Sequence, residues 1–366
     1  MQGVLVKFVL FFRYTVFDCA HINSKMKAIN TAFLIVSSIV GAGFASGREL
    51  VSFFGISLGL WLVPVVGAFV FATSLLFLRV GAKLHSAKAR SNNREIFGKF
   101  GVVADCFALL NSFVVLAAML AGITAISGTT NSLPLVAILL GLLAVIVQKF
   151  GIKGLVRANS VLVPLLIIIL FAVSFVAIDK FALNLNFLAI VLPKSVLYVS
   201  LNMYLASGAL YNLELNFRQS FVASLLSGLL IGGLLLALVL AISANPSATS
   251  QPMPLLYIVK QFGLLPQVLV SITLIACIFG SMLIALYNIV EWLSSLVSDR
   301  ILAGLMATSC AFVLSMIGFE QIVRWIYPIV AVVGIVYLFF NILYLAKKID
   351  TPYDEPFDEH EFKLCN

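Results

Sequence analysis

Residues Gly41-Ala42-Gly43-Phe44-Ala45-Ser46-Gly47 interrupt a long apolar run, and Arg48-Glu49 follow at once. Each glycine weakens a helix by about 1 kcal/mol. A charged residue at mid-bilayer costs roughly 2.5–3.5 kcal/mol on insertion scales. A helix broken here has a use for both features. The half before the break would end near Val40 with free carbonyls that attract a cation. The half after it would begin near Ser46 with free N–H groups that suit a carboxylate or other anion. Ser46-x-x-Glu49 also matches a capping box, with Ser46 accepting from the N–H of Glu49 and Glu49 reaching back to the N–H of Ser46. Glu49 then has two readings: a helix cap with Arg48 as its counter-charge, or a group that binds a substrate amine or carries a proton.

Other patterns weigh on this segment. Gly41-x-Gly43-x-x-x-Gly47 resembles a dinucleotide fingerprint, but no strand precedes it and it lies inside an apolar run. Gly43–Gly47, Gly55–Gly59 and Gly228–Gly232 are GxxxG helix-packing patterns, and packing is the better reading of the last two. A second unusually polar run holds Ser195, Tyr198, Ser200, Asn202, Tyr204, Ser207 and Gly208, and a break is expected in it between Asn202 and Gly208. Gly280-Ser281, Tyr287, Asn288 and Glu291 punctuate a third. Asp105 and Glu291 sit near the ends of their runs and are expected to be solvated or paired. His21, His85 and His360 fall outside the apolar runs, which argues against a histidine proton relay. No HExxH, GxSxG or P-loop pattern occurs, so a membrane protease, lipase or ATP-driven pump is disfavoured and no catalytic residue is assigned. The five cysteines are scattered without CxxC spacing, against zinc and disulfide frameworks.

The elements that position these groups follow from composition. The chain is 62% hydrophobic and 10% charged, and apolar runs of membrane-spanning length recur. Ten spans are expected, near 28–54, 58–82, 102–126, 133–148, 159–178, 188–211, 219–244, 265–290, 301–317 and 322–346. The net charge of +8 lies mostly in the loops at one set of span ends, a positive-inside pattern that says nothing of nucleic acid. That side is read as cytoplasmic, with both termini on it, in a plasma (inner) membrane. Residues 1–27 form an N-terminal segment, apolar but interrupted by Lys7 and Arg13, read either as an interfacial helix or as upstream of a natural start at Met26. Residues 347–366 form an acidic cytoplasmic tail. Between them, 28–178 and 179–346 each hold five spans. An odd number per half requires opposite orientations, the condition for a 5+5 inverted repeat with discontinuous first and sixth helices.

Thr31–Phe54, reading TAFLIVSSIVGAGFASGRELVSFF, resembles the opening helix of the YkvI-like membrane proteins, within the amino acid–polyamine–organocation superfamily of LeuT fold. The Gly151-Ile152-Lys153-Gly154 turn and the 5+5 layout add looser support. The resemblance implies a substrate site built from Gly41, Ala42, Gly43, Phe44, Ser46, Gly47 and Glu49 with Tyr198, Ser200 and Asn202 of span six. It also implies a sodium site formed by the carbonyls of Ser37 and Val40 and the hydroxyl of Ser281. Members commonly carry Gln where Arg48 stands. Sodium-coupled relatives usually have two adjacent hydroxyl residues in span eight, where this chain has Gly280 before Ser281. Some sodium-independent relatives place a lysine in span five, and none lies within Val161–Ile178. Sodium and proton both stay open as coupling ion. The expectation is an all-α secondary transporter moving an amino acid or similar small amine or zwitterion by alternating access, with the bilayer and a small-molecule substrate as partners. The alternative is a ligand sensor on the same fold, like spore germinant receptors.

Overall fold

A computed structural model describes residues 24–55, 59–84, 89–127, 133–176, 190–294 and 296–349. The readings of the N-terminal segment up to residue 23 and of the tail from Asp350 lie outside the described residues.

The apolar runs form helices: α1 (Ser24–Ile39), α2 (Ala42–Ser46), α3 (Arg48–Phe54), α4 (Leu62–Lys83), α5 (Ala89–Phe97), α6 (Gly101–Ser127), α7 (Leu133–Gln148), α8 (Gly151–Val176), α9 (Val191–Leu210), α10 (Phe217–Ala244), α11 (Pro254–Val259), α12 (Leu264–Leu293), α13 (Arg300–Ser315) and α14 (Tyr327–Ile349). Among the described residues six stretches are long and apolar enough to cross a membrane by length and composition, and α7 and α13 are shorter apolar helices. Caps mark two starts. Asn216 and Gln219 form a reciprocal capping box at α10, and Asp299 Oδ1 accepts from the N–H of Ile301 at α13.

The polarity is distributed as a bilayer requires. Peripheral helices expose large apolar side chains, such as Leu135 (63% exposed) on α7 and Ile168 (66%) on α8. Polar residues concentrate in the interior, on α1–α3 (Thr31, Ser37, Ser38, Ser46, Glu49) and α9 (Ser195, Ser200, Asn202, Ser207). α1 packs against α8, α9, α10 and α12, and α9 against α4 and α14. The interrupted helix therefore runs through the centre of the bundle.

Glycines set one close crossing. A Cβ on Gly67 of α4 would stand 3.0 Å from the Gly228 carbonyl of α10, and one on Gly228 2.7 Å from the Gly67 carbonyl, so Gly228–Gly232 is a packing pattern as read. Gly55 is not: nothing lies within 4 Å of its missing Cβ, and its positive φ of 52° ends α3. A further departure concerns α9, which runs unbroken through Asn202–Gly208. Asn202 bonds the Tyr198 carbonyl and Ser207 the Tyr204 carbonyl within the helix, while Ser200 and Tyr198 reach other helices. The polarity marks side-chain bonding within the helix and to its neighbours, not a second discontinuity.

Candidate functional site

The interruption has two joints. Val40 closes the last turn of α1 onto the Val36 carbonyl (2.8 Å), and the N–H of Gly41 then turns to the carbonyl of Ile39 (3.0 Å). Gly41, in extended backbone, caps the short α2. Gly47 ends α2 and starts α3 with φ at 81°, a left-handed conformation that disfavours any side chain.

The capping box between Ser46 and Glu49 does not form. Gly47 is the N-cap of α3, and no side chain caps it. Ser46 Oγ instead donates to the Gly43 carbonyl (3.3 Å) and accepts from the N–H of Arg48 (3.3 Å). The N–H of Gly47 is spent on the Phe44 carbonyl (2.9 Å). The free N–H groups expected near Ser46 are thus consumed. The first-turn amides, which lack intrahelical acceptors, are those of Ala42, Gly43 and Phe44.

Released from capping, Glu49 folds back across the break. A Cβ on Gly43 would collide with Oε1, Cγ and Cδ of Glu49, so the glycine leaves the space that this side chain fills. Glu49 is 2% exposed, and Tyr198 Oη donates to its Oε2 (3.3 Å). Phe53 and Phe54 stand edge-on to the Tyr198 ring, with centroids at 5.4 and 5.7 Å. Arg48 is not the counter-charge. Its guanidinium pairs with Glu320 and donates to the Gln251 carbonyl (3.3 Å). Among the described residues no basic side chain pairs with Glu49.

Glu49 faces a narrow cavity. Ser38, Gly41, Asn202, Ser281 and Tyr327 complete its polar lining, and Ile39, Val115, Met119, Leu201 and Leu205 its apolar walls. The structure therefore gathers Gly41, Glu49 and Asn202, with Tyr198 and Gly43 behind Glu49. Ala42 packs on α6, where a Cβ on Gly122 would come within 3.0 Å of its own. Phe44 is fully buried, and a Cβ on Gly47 would meet Ile242 Cδ1 at 2.5 Å, so these two shape the joint and do not line the cavity. Ser200 is turned away, donating to the Ala331 carbonyl of α14 (2.8 Å).

The expected ion ligands also converge in part. Ser281 Oγ donates to the Ser37 carbonyl across two helices (2.8 Å), although a lone membrane serine usually bonds its own helix. Val40 follows α1 directly. Gly280 leaves room for Ser37, since a Cβ there would collide with Ser37 Oγ and stand 3.1 Å from Asn159 Oδ1. Both of those oxygens are buried without a hydrogen-bond partner.

Sequence reasoning missed Asn159, Glu320, Met119 and Tyr327. One signal was available for Tyr327. It precedes Pro328, whose missing N–H loosens the preceding turn, and Ile322–Ile326 is a π-helix of the kind that marks functional positions.

The fold is that of the LeuT-fold transporters, shown by its likeness to three solved structures. It resembles MhsT in complex with L-phenylalanine (TM-score 0.60, 17% identity, 88% of each chain). It also resembles the manganese transporter of Eremococcus coleocola (TM-score 0.55, 13% identity, 91% of this chain and 83% of the other) and the nucleobase-cation-symport-1 family transporter Mhp1 (TM-score 0.53, 15% identity, 88% and 75%). No family model matches the chain. It is 30% identical over 345 residues to the uncharacterized membrane protein YkvI of Bacillus subtilis (strain 168), covering 86% of this chain and 95% of the relative, and it belongs to the YkvI family of membrane proteins.

Proposed function

We propose that the chain is a secondary transporter that moves an amino acid, or a similar small amine or zwitterion, by alternating access. The observation that carries this reading is Glu49: a buried carboxyl group facing a cavity, with no basic partner among the described residues. A carboxyl group this buried holds a charge only when a cation meets it, and a substrate ammonium in the cavity would supply one. The first-turn amides behind Gly41 suit a carboxylate on the same molecule. Transporter structures of the same fold support the class, and MhsT with L-phenylalanine supports the chemistry of the substrate.

In this reading the chain has ten spans in a 5+5 inverted repeat over 28–178 and 179–346, with basic loops and both termini on the cytoplasmic side of the plasma membrane. The helix bounds and the loop charges support it. The Arg48–Glu320 pair then lies on the opposite side of the cavity and closes it from outside. The coupling ion is sodium or a proton. Sodium would sit among the carbonyls of Ser37 and Val40 and the Ser281 hydroxyl, with the unpartnered Ser37 Oγ and Asn159 Oδ1 beside them; these neutral oxygens suit a hard cation. A proton would ride on Glu49.

Purified protein in liposomes, given labelled amino acids under imposed sodium and proton gradients, tests this reading. Gradient-driven accumulation is expected, and the gradient that drives it identifies the ion. Binding without accumulation would favour a sensor and overturn transport.

A further inference from the structure

The central cavity has a neighbour. A second cleft lies at the end of the bundle where α5 brings Arg94 against Gly101 of α6. Its walls come from α5, α6, α9, α12 and α14. On α6 its lining residues Leu109 and Ser112 precede the central-cavity residues Val115 and Met119. The two spaces are thus offset by about two helical turns, roughly 10 Å at 1.5 Å per residue.

Three side chains in this cleft hold bonding capacity that the fold does not use. Asn92 is 1% exposed, and neither its Oδ1 nor its Nδ2 has a partner. Tyr204 is 3% exposed, and its hydroxyl has none. Asn288 spends its Nδ2 on the Leu205 carbonyl (2.7 Å) and leaves its Oδ1 unpartnered. Buried polar groups are ordinarily paired, so three orphans on one cleft call for an occupant. The neighbouring groups are already committed. Tyr337 donates to Asn93 (2.9 Å), Asn93 donates to Asp105 (2.7 Å), and Glu291 is paired with Arg300. Among the described lining residues Glu291 is the one charged group, and Arg300 offsets it. The orphans supply one amide donor, one hydroxyl and two carbonyl acceptors, beside the rings of Tyr204 and Tyr337, tilted at 41° with centroids 4.5 Å apart.

We propose that this cleft is a second ligand site, which takes an α-amino acid as a zwitterion through neutral hydrogen bonds alone. The ammonium bonds to the Asn288 and Asn92 carbonyl oxygens, and the carboxylate to the Asn92 amide and the Tyr204 hydroxyl. This rests on the amino-acid reading of the central site, but uses different residues. Without a formal charge the cleft binds more weakly than a site built on Glu49. It is a station from which the substrate leaves toward the basic side.

Trp292 lines this cleft and is one of three tryptophans in the chain, so its fluorescence reports locally. In a Trp61→Phe/Trp325→Phe background, the reconstituted full chain is titrated with individual L-amino acids, L-phenylalanine among them. Thermal-shift binding is measured in parallel. The expected result is a Trp292 change that survives Glu49→Gln and is weakened roughly tenfold by Tyr204→Phe, the loss of one neutral hydrogen bond. Tyr204→Phe removes only an unpartnered oxygen, so its melting temperature should not fall. A change that disappears with Glu49→Gln and ignores Tyr204→Phe would mean one central site and overturn the proposal. So would thermal-shift binding with no Trp292 response, which leaves the central reading intact. Silence in both assays overturns both.

Discussion

Replacing Glu49 by Gln keeps the shape of the side chain and one acceptor oxygen while removing the charge. In the ligand-bound protein, losing one partner of a buried charge pair costs about 2–5 kcal/mol. Gln retains a hydrogen bond to the ammonium, so the lower part of that range applies. A loss of about 2–3 kcal/mol weakens binding roughly 30- to 150-fold. The empty protein responds in the opposite sense. Its carboxylate is 2% exposed, accepts one long hydrogen bond from Tyr198 and faces no basic side chain among the described residues. Removing that charge relieves a cost, and the melting temperature in detergent should hold or rise. Differential scanning fluorimetry with and without an L-amino acid that shifts the parent protein reads both effects together: the unliganded midpoint is kept and the ligand-induced shift is lost. A structural cap behaves the other way, with stability falling by about 1 kcal/mol and affinity unchanged. That second pattern in Glu49→Gln would refute the assignment of Glu49 to the substrate.

Gly43→Ala should expel the Glu49 side chain from the break, since the new Cβ occupies its place; binding should fall at least as far as in Glu49→Gln, while membrane insertion, read by protease protection, stays normal. Arg48→Ala removes the contacts to Glu320 and Gln251. That pair is partly solvated, so about 1 kcal/mol, roughly a fivefold shift in population, is expected toward outward opening, read as faster thiol labelling of a cysteine placed at Ser38. If sodium is the coupling ion, Ser281→Ala should raise the sodium concentration needed for half-maximal uptake about tenfold, by loss of one hydroxyl ligand, with substrate affinity at saturating sodium unchanged; equal sodium dependence in the variant would move the ion elsewhere.

The helix positions were legible because apolar run length is a strong signal, and the expected spans match the observed helices to within a few residues in most cases. The start of α8 is an exception. Lys153 and Arg157 lie in its first two turns and read as loop charges, although long basic side chains reach the interface from within a helix. The misjudged start hid Asn159, which sits inside the helix. The same loop-like charges hid α5, whose Arg90 and Arg94 share a short helix with the buried Asn92 and Asn93. The break at Gly41–Gly47 was legible from composition, but its geometry was not. A capping box and a left-handed glycine compete for the start of α3, and short-range pattern cannot weigh that choice against the burial of Glu49 beside Tyr198, 149 residues away. Arg48 poses the same difficulty, since its partner Glu320 lies 272 residues further along the chain.

The glycines of this protein divide by what a missing Cβ would strike. At Gly67, Gly228 and Gly334 it would meet backbone, the Gly228, Gly67 and Ser200 carbonyls respectively, and there the glycine serves close helix packing. At Gly43, Gly280 and Gly208 it would strike a polar side chain of another segment: Glu49, Ser37 and Asn288. Each of those side chains has unmet bonding capacity, a carboxylate without a cation at Glu49, and unpartnered oxygens at Ser37 and Asn288. A membrane interior penalises such groups, and a glycine spent on making room for one deepens the penalty. Packing has no use for that combination. A ligand does, because it completes the bonds that the fold leaves open. The three positions also mark different stations, the break in the first helix, the corner between α1, α8 and α12, and the cleft toward the basic side. The glycine-cleared polar groups are therefore the positions at which the fold leaves bonds for a ligand to complete.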